Sequence, residues 1–285
     1  MKLIIQTYST TGIRSQNEDA IDINNNLNNN NNLFFDMCYC AIFDGHGGGE
    51  ISKTLVDPTK IFISKYFCKK TSPLAEKLYN KPGHEKNIID AFSHIQEKLK
   101  NYFIKSNKMG STSLISLIYP KNNKFRLKII NLGDCRAVLC SGYNIAHQLS
   151  LDHKPNNYCE KKRIIDLGGV IEYSLHDDPR INGMSVSRSF GDLDNKFISQ
   201  VPDIFDYTIT NDKFLIIACD GVWDVLSNQE AVDCVLEKND ELKTTNKPLQ
   251  NMRGKSENNI AQKLAELALL KGTTDNLSVV IIFLQ

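Results

Sequence analysis

Asp44, Gly45 and His46 stand at the end of an apolar run in Cys40–Glu50, CAIFDGHGGGE. A carboxylate, a bare backbone and an imidazole at the exit of a buried strand are groups that hold cations and move protons. Asp44 is not alone. Glu18 and Asp19 follow Arg14 in GIRSQNEDA, Asp134 closes IINLGD, Asp220 closes the apolar part of FLIIACDG, and Asp275 and Asn276 open DNLSVVIIF. A carboxylate at the mouth of a buried strand costs stability unless positive charge neutralises it. One such residue is a turn former; several separate strands ending this way point to a shared cluster of hard oxygen ligands, suited to Mg²⁺ or Mn²⁺. None of these positions offers the lone His or Cys ligands of a zinc site.

The elements that must position these residues are mostly strands. Apolar runs at Leu3–Tyr8, Met37–Phe43, Thr112–Tyr119, Phe125–Leu132, Ala137–Cys140, Phe214–Cys219 and Leu277–Leu284 read as strands. Several are continuously apolar, which predicts cover on both faces. Ile88, Phe92, Ile95, Leu99 and Phe103 recur at helical spacing between Glu85 and Lys105. Ile260, Leu264, Leu267 and Leu270 do the same, with Gly272 placed to end that helix. Ser227 followed by Glu230 predicts a capping box opening a third helix. Two sheets with helices outside them would account for both patterns. Helices and strands do not alternate regularly, which argues against a doubly wound parallel sheet. Residues 24–32, NNNLNNNNN, and the polar segment 238–257 read as surface loop insertions.

With 285 residues, the length prior allows two domains, although large sheet proteins often run this long as one. Lys+Arg 34 against Asp+Glu 33 gives no electrostatic case for a nucleic acid or an acidic membrane. No segment approaches the roughly 18 apolar residues of a membrane span, and MKLIIQTYST is too short in apolar residues for a signal-peptide core. The expectation is a soluble protein of the cytoplasm or nucleus. None of the 8 cysteines forms a C-x-x-C pair, so free core thiols are expected. Cys38 and Cys40, two apart on a strand, face the same side.

In order along the chain, GIRSQNEDA, FDGHGG, GSTS, NLGDCRA, LDHKP, RINGMSVSRSFGD, VPDI, CDGVWD and TDNLSVVI span about Leu3 to Phe283. In these motifs the chain resembles the metal-dependent serine/threonine protein phosphatases of the PPM, or PP2C, family. The resemblance implies an α+β fold, a four-layer α-β-β-α sandwich with two central, mainly antiparallel sheets in a single domain, residues 1–285. It also implies two Mg²⁺ or Mn²⁺ ions. Asp44 would bridge them, Asp220 and Asp275 would hold the first, and Glu18 with the Gly45 carbonyl the second. Asp134 matches a weaker third site. Asp19 would orient metal-bound water, with Asn276 beside Asp275. Glycine at position 45 would let its carbonyl approach a cation.

From the resemblance, a metal-bridging hydroxide would attack phosphorus directly, His46 would protonate the leaving alkoxide as general acid, and Arg14 would clamp the phosphate. Phosphoserine and phosphothreonine proteins are the implied substrates and a monomer the implied state. Residues 157–182 correspond to the family's flap beside the cleft. The motifs around Gly110–Ser113 and Asp152–Pro155 read as turns that position strands, and Arg188 and Asp192 as internal ion pairs or caps. Two other readings stand beside this one, an inactive binding scaffold of the same fold and a phosphatase of small phosphoesters.

Overall fold

Strand residues of alternating sides belong to different cores, and that alternation lays out the molecule. The computed structural model describes residues 1–24, 37–67, 84–102, 108–175 and 177–285, the side chains of 60–67, 84 and 102 excepted. Phe103, Lys105, Cys68 and residues 25–32 of the asparagine tract therefore lie outside the described residues. A six-stranded sheet has the order β13 (Met252–Arg253), β1 (Leu3–Thr10), β14 (Leu277–Leu284), β12 (Phe214–Ala218), β8 (Arg136–Cys140), β9 (Ala146–Gln148). A five-stranded sheet has the order β11 (Asp203–Ile209), β7 (Lys124–Leu132), β6 (Ser113–Lys121), β3 (Cys38–Phe43), β2 (Ala20–Asn24). Both are antiparallel except where β13 joins β1.

On β12, Leu215 and Ile217 point into a core shared by the two sheets, together with Cys40 and Ile42 of β3 and Val280 and Ile282 of β14. Their neighbours Phe214, Ile216 and Ala218 face outward onto the short helix α4 (Asp220–Trp223) and helices α5 (Asn228–Thr244) and α6 (Ile260–Leu270). Tyr39, Ala41 and Phe43 face the opposite way, onto α1 (Glu50–Phe67) and α2 (His84–Tyr102). Three stacked cores make four layers, helices, sheet, sheet, helices, which is the α-β-β-α sandwich. Period-2 alternation with both faces apolar is what a central strand needs. Cys38 and Cys40 lie in the inter-sheet core with their sulfurs 3.9 Å apart, and every cysteine among the described residues is free. No helix of the described residues is long and apolar enough to cross a membrane.

The expected capping box is present: Ser227 accepts from the backbone N–H of Glu230, whose side chain accepts from Ser227 in return. Two expectations are corrected. Segment 238–257 is not all loop, because α5 continues through Thr244 and Met252–Arg253 pairs with β1. Buried Leu242 anchors the last turns, and Lys238–Glu241 and Lys243–Asp240 pair one turn apart on the wet side. Polarity there marks a solvated helix face. Leu270, expected on the buried stripe of α6, is exposed at its last residue. Residues 157–182 contain α3 (Tyr158–Asp166), and Ile164 and Ile181 pack on Phe197 and Ile198 in a small core of their own.

Candidate active site

Antiparallel register gathers the acidic residues at one edge. Ala20 pairs with Phe43, so the exit of β3 is the entrance of β2 and brings Asp44 to Glu18 and Asp19. Leu132 pairs with Ser113 at the same end, where Asp134 follows β7. In the other sheet Ala218 pairs with both Arg136 and Val279, which sets Asp220 beside the entrance of β14 and Asp275. A third, three-stranded sheet of β10 (Phe190–Gly191), β5 (Gly110–Ser111) and β4 (Gly45–His46) carries the histidine.

Close approach needs bare backbone at two points. A Cβ on Gly45 would lie 2.3 Å from the carbonyl oxygen of Glu18, and one on Gly221 would lie 2.2 Å from that of Asn276. The first contact gives Gly45 a steric reason of its own: any side chain would push the Glu18 segment off Asp44. Asn276 ties the remaining loop. It accepts from Glu18 N–H at 2.9 Å and donates to the carbonyls of Thr11 and Gln16 at 3.0 and 2.9 Å. Ser52 donates to the Glu18 carbonyl. Asp44 is fixed by Thr112, whose hydroxyl accepts its N–H at 3.1 Å and whose N–H donates to its carbonyl at 2.8 Å. The motif around Gly110–Ser113 is thus scaffold for the central carboxylate.

The electrostatics follow from crowding. Burial first, then the charges of Asp19, Asp220, Asp134 and Asp275, push the Asp44 carboxyl well above the ordinary range. Burial and the carboxylates of Asp134 and Asp224 do the same to Asp220, with Lys154 working against them. Burial lifts Asp19 to about 6, its carboxylate set among Ser278, Cys219 and Asp44. Asp224, whose residue is exposed at the rim, is also lifted to about 6, by partial desolvation and by Asp134, Asp178 and Asp275 against Lys154. Positive charge comes from two residues. Arg14 donates to Asp275 at 2.8 Å and to the Thr274 carbonyl at 2.9 Å, and its side chain is half exposed. Lys154 contacts Asp134 at 2.8 Å and Asp178 of segment 157–182 at 2.9 Å, with Asp220 at 3.9 Å.

His46 is held by a carboxylate distant in sequence. Its Nε2 lies 2.8 and 3.0 Å from the two oxygens of Asp192, which is 2% exposed and receives a further hydrogen bond from Ser189. Asp192 has φ +47°, and Gly191 before it is clamped by Gln96 of α2 at 2.8 and 2.9 Å. Arg188 forms the other expected internal pair, with buried Glu160 at 2.6 Å and Asp203 at 2.8 Å.

Two participants, Asp224 and Lys154, escaped the sequence reading, and so did the partner of Asp192. Asp224 lies one helical turn beyond Asp220, so CDGVWD already held the signal as an i, i+4 carboxylate pair. Lys154 in LDHKP reads as part of a turn, yet its ammonium enters the acidic cluster. Asp192 was expected in an ion pair, but nothing local named His46 as the partner.

The donors are all oxygen, they repel one another, and the two side-chain cations near them carry one charge each. That set fits hard divalent cations. Among the described residues no three acidic, His or Cys side chains are closed into a ready-made coordination cage. Cys135 and Cys219 flank the carboxylates, but burial first and those negative charges next hold both thiols well above their ordinary range. A nucleophilic thiolate is not on offer there.

Comparison with known proteins agrees with this geometry. The family model described as "Protein phosphatase 2C" matches residues 5–277. A "PP2C-like domain-containing protein" of Acanthamoeba polyphaga mimivirus is 44% identical over 174 residues, 57% of this chain and 97% of that one. "Protein phosphatase 1A" of Homo sapiens is 31% identical over 264 residues, 86% of this chain and 62% of that one, so the match spans less than two thirds of the human protein. The crystal structure of serine-threonine phosphatase 2C from Toxoplasma gondii superposes with a TM-score of 0.78 at 23% identity, covering 99% of this chain and 94% of that one. Sandwich, acidic edge and family match converge: the chain belongs to the protein phosphatase 2C family.

Proposed function

We propose that the chain hydrolyses phosphoserine and phosphothreonine in proteins with the help of two Mg²⁺ or Mn²⁺ ions. The observation that carries this reading is the convergence of Asp44, Asp220 and Asp275 from both sheets at the edge that also holds Arg14 and His46. Asp44, Asp220, Asp275, Glu18 and the Gly45 carbonyl would hold the ions, with Asp134 serving a weaker third, and Asp19 would orient a bound water. Such ions supply a water of lowered pKa as nucleophile and positive charge for the phosphoryl oxygens.

The chain's own groups do the rest. Arg14, half exposed and steadied by Asp275, offers its remaining N–H groups to the phosphate. His46, fixed through Nε2, has Nδ1 left to give a proton to the departing alkoxide. A phosphothreonine peptide incubated with Mn²⁺ releases phosphate, EDTA stops the release, and excess Mn²⁺ restores it. Silence under every condition would favour the binding scaffold. Turnover of nucleotides or small esters alone would favour the other substrate class.

Stability should report the same crowding. Buried Asp19 sits at about 6 in the fold against 3.8 for the free side chain, and exposed Asp224 adds to it only as far as solvent leaves it unscreened. The folded chain therefore holds more protons than the unfolded one between those values, and stability falls as the pH rises through them. Glu160 has the opposite sign. Burial raises it, but the hydrogen bonds of Arg188 and Arg163 win and hold it at about 2, so its contribution is lost only below its ordinary 4.5. Protein stripped with EDTA should melt higher at about pH 5 than at about pH 7, and Mn²⁺ should close the gap. Scanning calorimetry measures it; equal melting temperatures without metal would contradict the crowded cluster.

A further inference from the structure

Lys154 has no part in the chemistry proposed above, yet its ammonium is set within the acidic edge, against Asp134 and Asp178 and 3.9 Å from Asp220. Its backbone is set by its neighbour. His153 donates its N–H to the Gly133 carbonyl at 3.0 Å, and its Nδ1 accepts the Gly133 N–H at 2.9 Å. The ring's other nitrogen lies 3.1 Å from Asp203. This double clamp on the residue before Asp134 fixes where Lys154 starts, and the side chain runs to Asp134, which is 1% exposed. Asp220 and Asp224 both feel the ammonium. One positive charge thus faces three carboxylates.

The second contact of the ammonium is of another kind. Asp178 belongs to segment 157–182, its side chain is 47% exposed, and its oxygen lies 2.9 Å from Nζ. Asp134 and Asp220 are also carboxylates assigned above to divalent ions. An ammonium 2.8 Å from Asp134 and 3.9 Å from Asp220 occupies the space from which a third cation would bind them. Two cations a few ångströms apart repel strongly where water is scarce. Lysine, on its flexible four-carbon stem, is the residue able to yield.

Resting on the metal reading, we infer that Lys154 is a tethered counter-cation that competes with a divalent ion for Asp134 and Asp220. When the ion arrives, the ammonium gives up Asp134 and Asp220 and keeps the contact it already has with Asp178. Without the ion, Lys154 keeps the three carboxylates together.

The test is Mn²⁺ binding by calorimetry and thermal melting in EDTA, for wild type, K154M and K154R. K154M should bind its weakest Mn²⁺ at least about tenfold tighter, since close charge pairs couple this strongly, while its metal-free form melts lower than wild type. K154R, which keeps the charge, should stay near wild type in both. A lysine that merely stabilises the fold would lower the melting temperature without tightening metal binding. Wild type that binds Mn²⁺ while K154M binds it equally or more weakly overturns the competition and leaves the metal reading standing; wild type that binds none overturns both. Should K154M not fold, acetylation of the wild-type protein decides, read by mass spectrometry. Lys154 should be shielded in EDTA and severalfold more reactive with Mn²⁺, and unchanged reactivity would overturn the inference.

Discussion

Asp44→Asn lowers kcat on a phosphothreonine peptide by at least about 10³-fold and raises the melting temperature of the metal-free protein. The two effects share one cause. Asp44 is the carboxylate that feels Asp19, Asp220, Asp134 and Asp275 together, from both sheets. Removing its charge takes away the group that would be shared between two ions, and the lost transition-state stabilisation is several kcal/mol, with each 1.36 kcal/mol worth a factor of ten. It also relieves the repulsion and burial cost that push its carboxyl upward. The backbone contacts to Thr112 do not involve the side chain, so the strand exit is kept. Asp220→Ala should behave alike in turnover. Steady-state kinetics at limiting Mn²⁺ with melting in EDTA checks both; full activity of either variant would remove that residue from the ligand set.

The second large effect depends on the substrate. His46→Ala should slow release from a phosphothreonine peptide by about 10²–10³-fold, the usual worth of a general acid. Hydrolysis of an aryl phosphate, whose leaving group hardly needs a proton, should fall far less. Asp192→Asn extends the test to the residue that positions the ring. It keeps the shape and loses the charge facing Nε2, so it should show the same peptide-selective loss at smaller size. In the double variant the Asp192 change should add almost nothing, because it acts through the imidazole. Equal slowing of both substrates in His46→Ala would take the general-acid role away. Additive losses would make Asp192 a structural residue only. Gly110 enforces the arrangement: a Cβ there would lie 2.3 Å from both His46 Nε2 and Asp192.

Whatever is encoded by neighbours along the chain was legible in the order of the residues. Strands with two apolar faces, the Ser227–Glu230 cap and the carboxylates at strand ends are local patterns, and the fold kept each of them. Burial on both sides of β12 and β14 could be read because a central strand needs an unbroken apolar run, and few other structures do. Where local signals compete, the reading failed. No helix is read over Glu50–Phe67, which carries Pro58, yet α1 forms there and buries Ile51 and Leu55 of its first turns against the sheet. The polar face of α5 beyond Lys238 looks like loop until Leu242 is seen in the core.

Which charges meet is set by the folded chain. His46 and Asp192 lie 146 residues apart and touch through a short strand pairing at Gly110 that no periodicity announces. Lys154 reaches Asp134 because His153 clamps Gly133 across 20 residues. Such meetings are set by strand register and by the absence of a side chain at Gly45, Gly110 and Gly221. Residue type fixes what a group can do, whereas its charge and proton depend on the distance and burial of partners that chain order does not reveal.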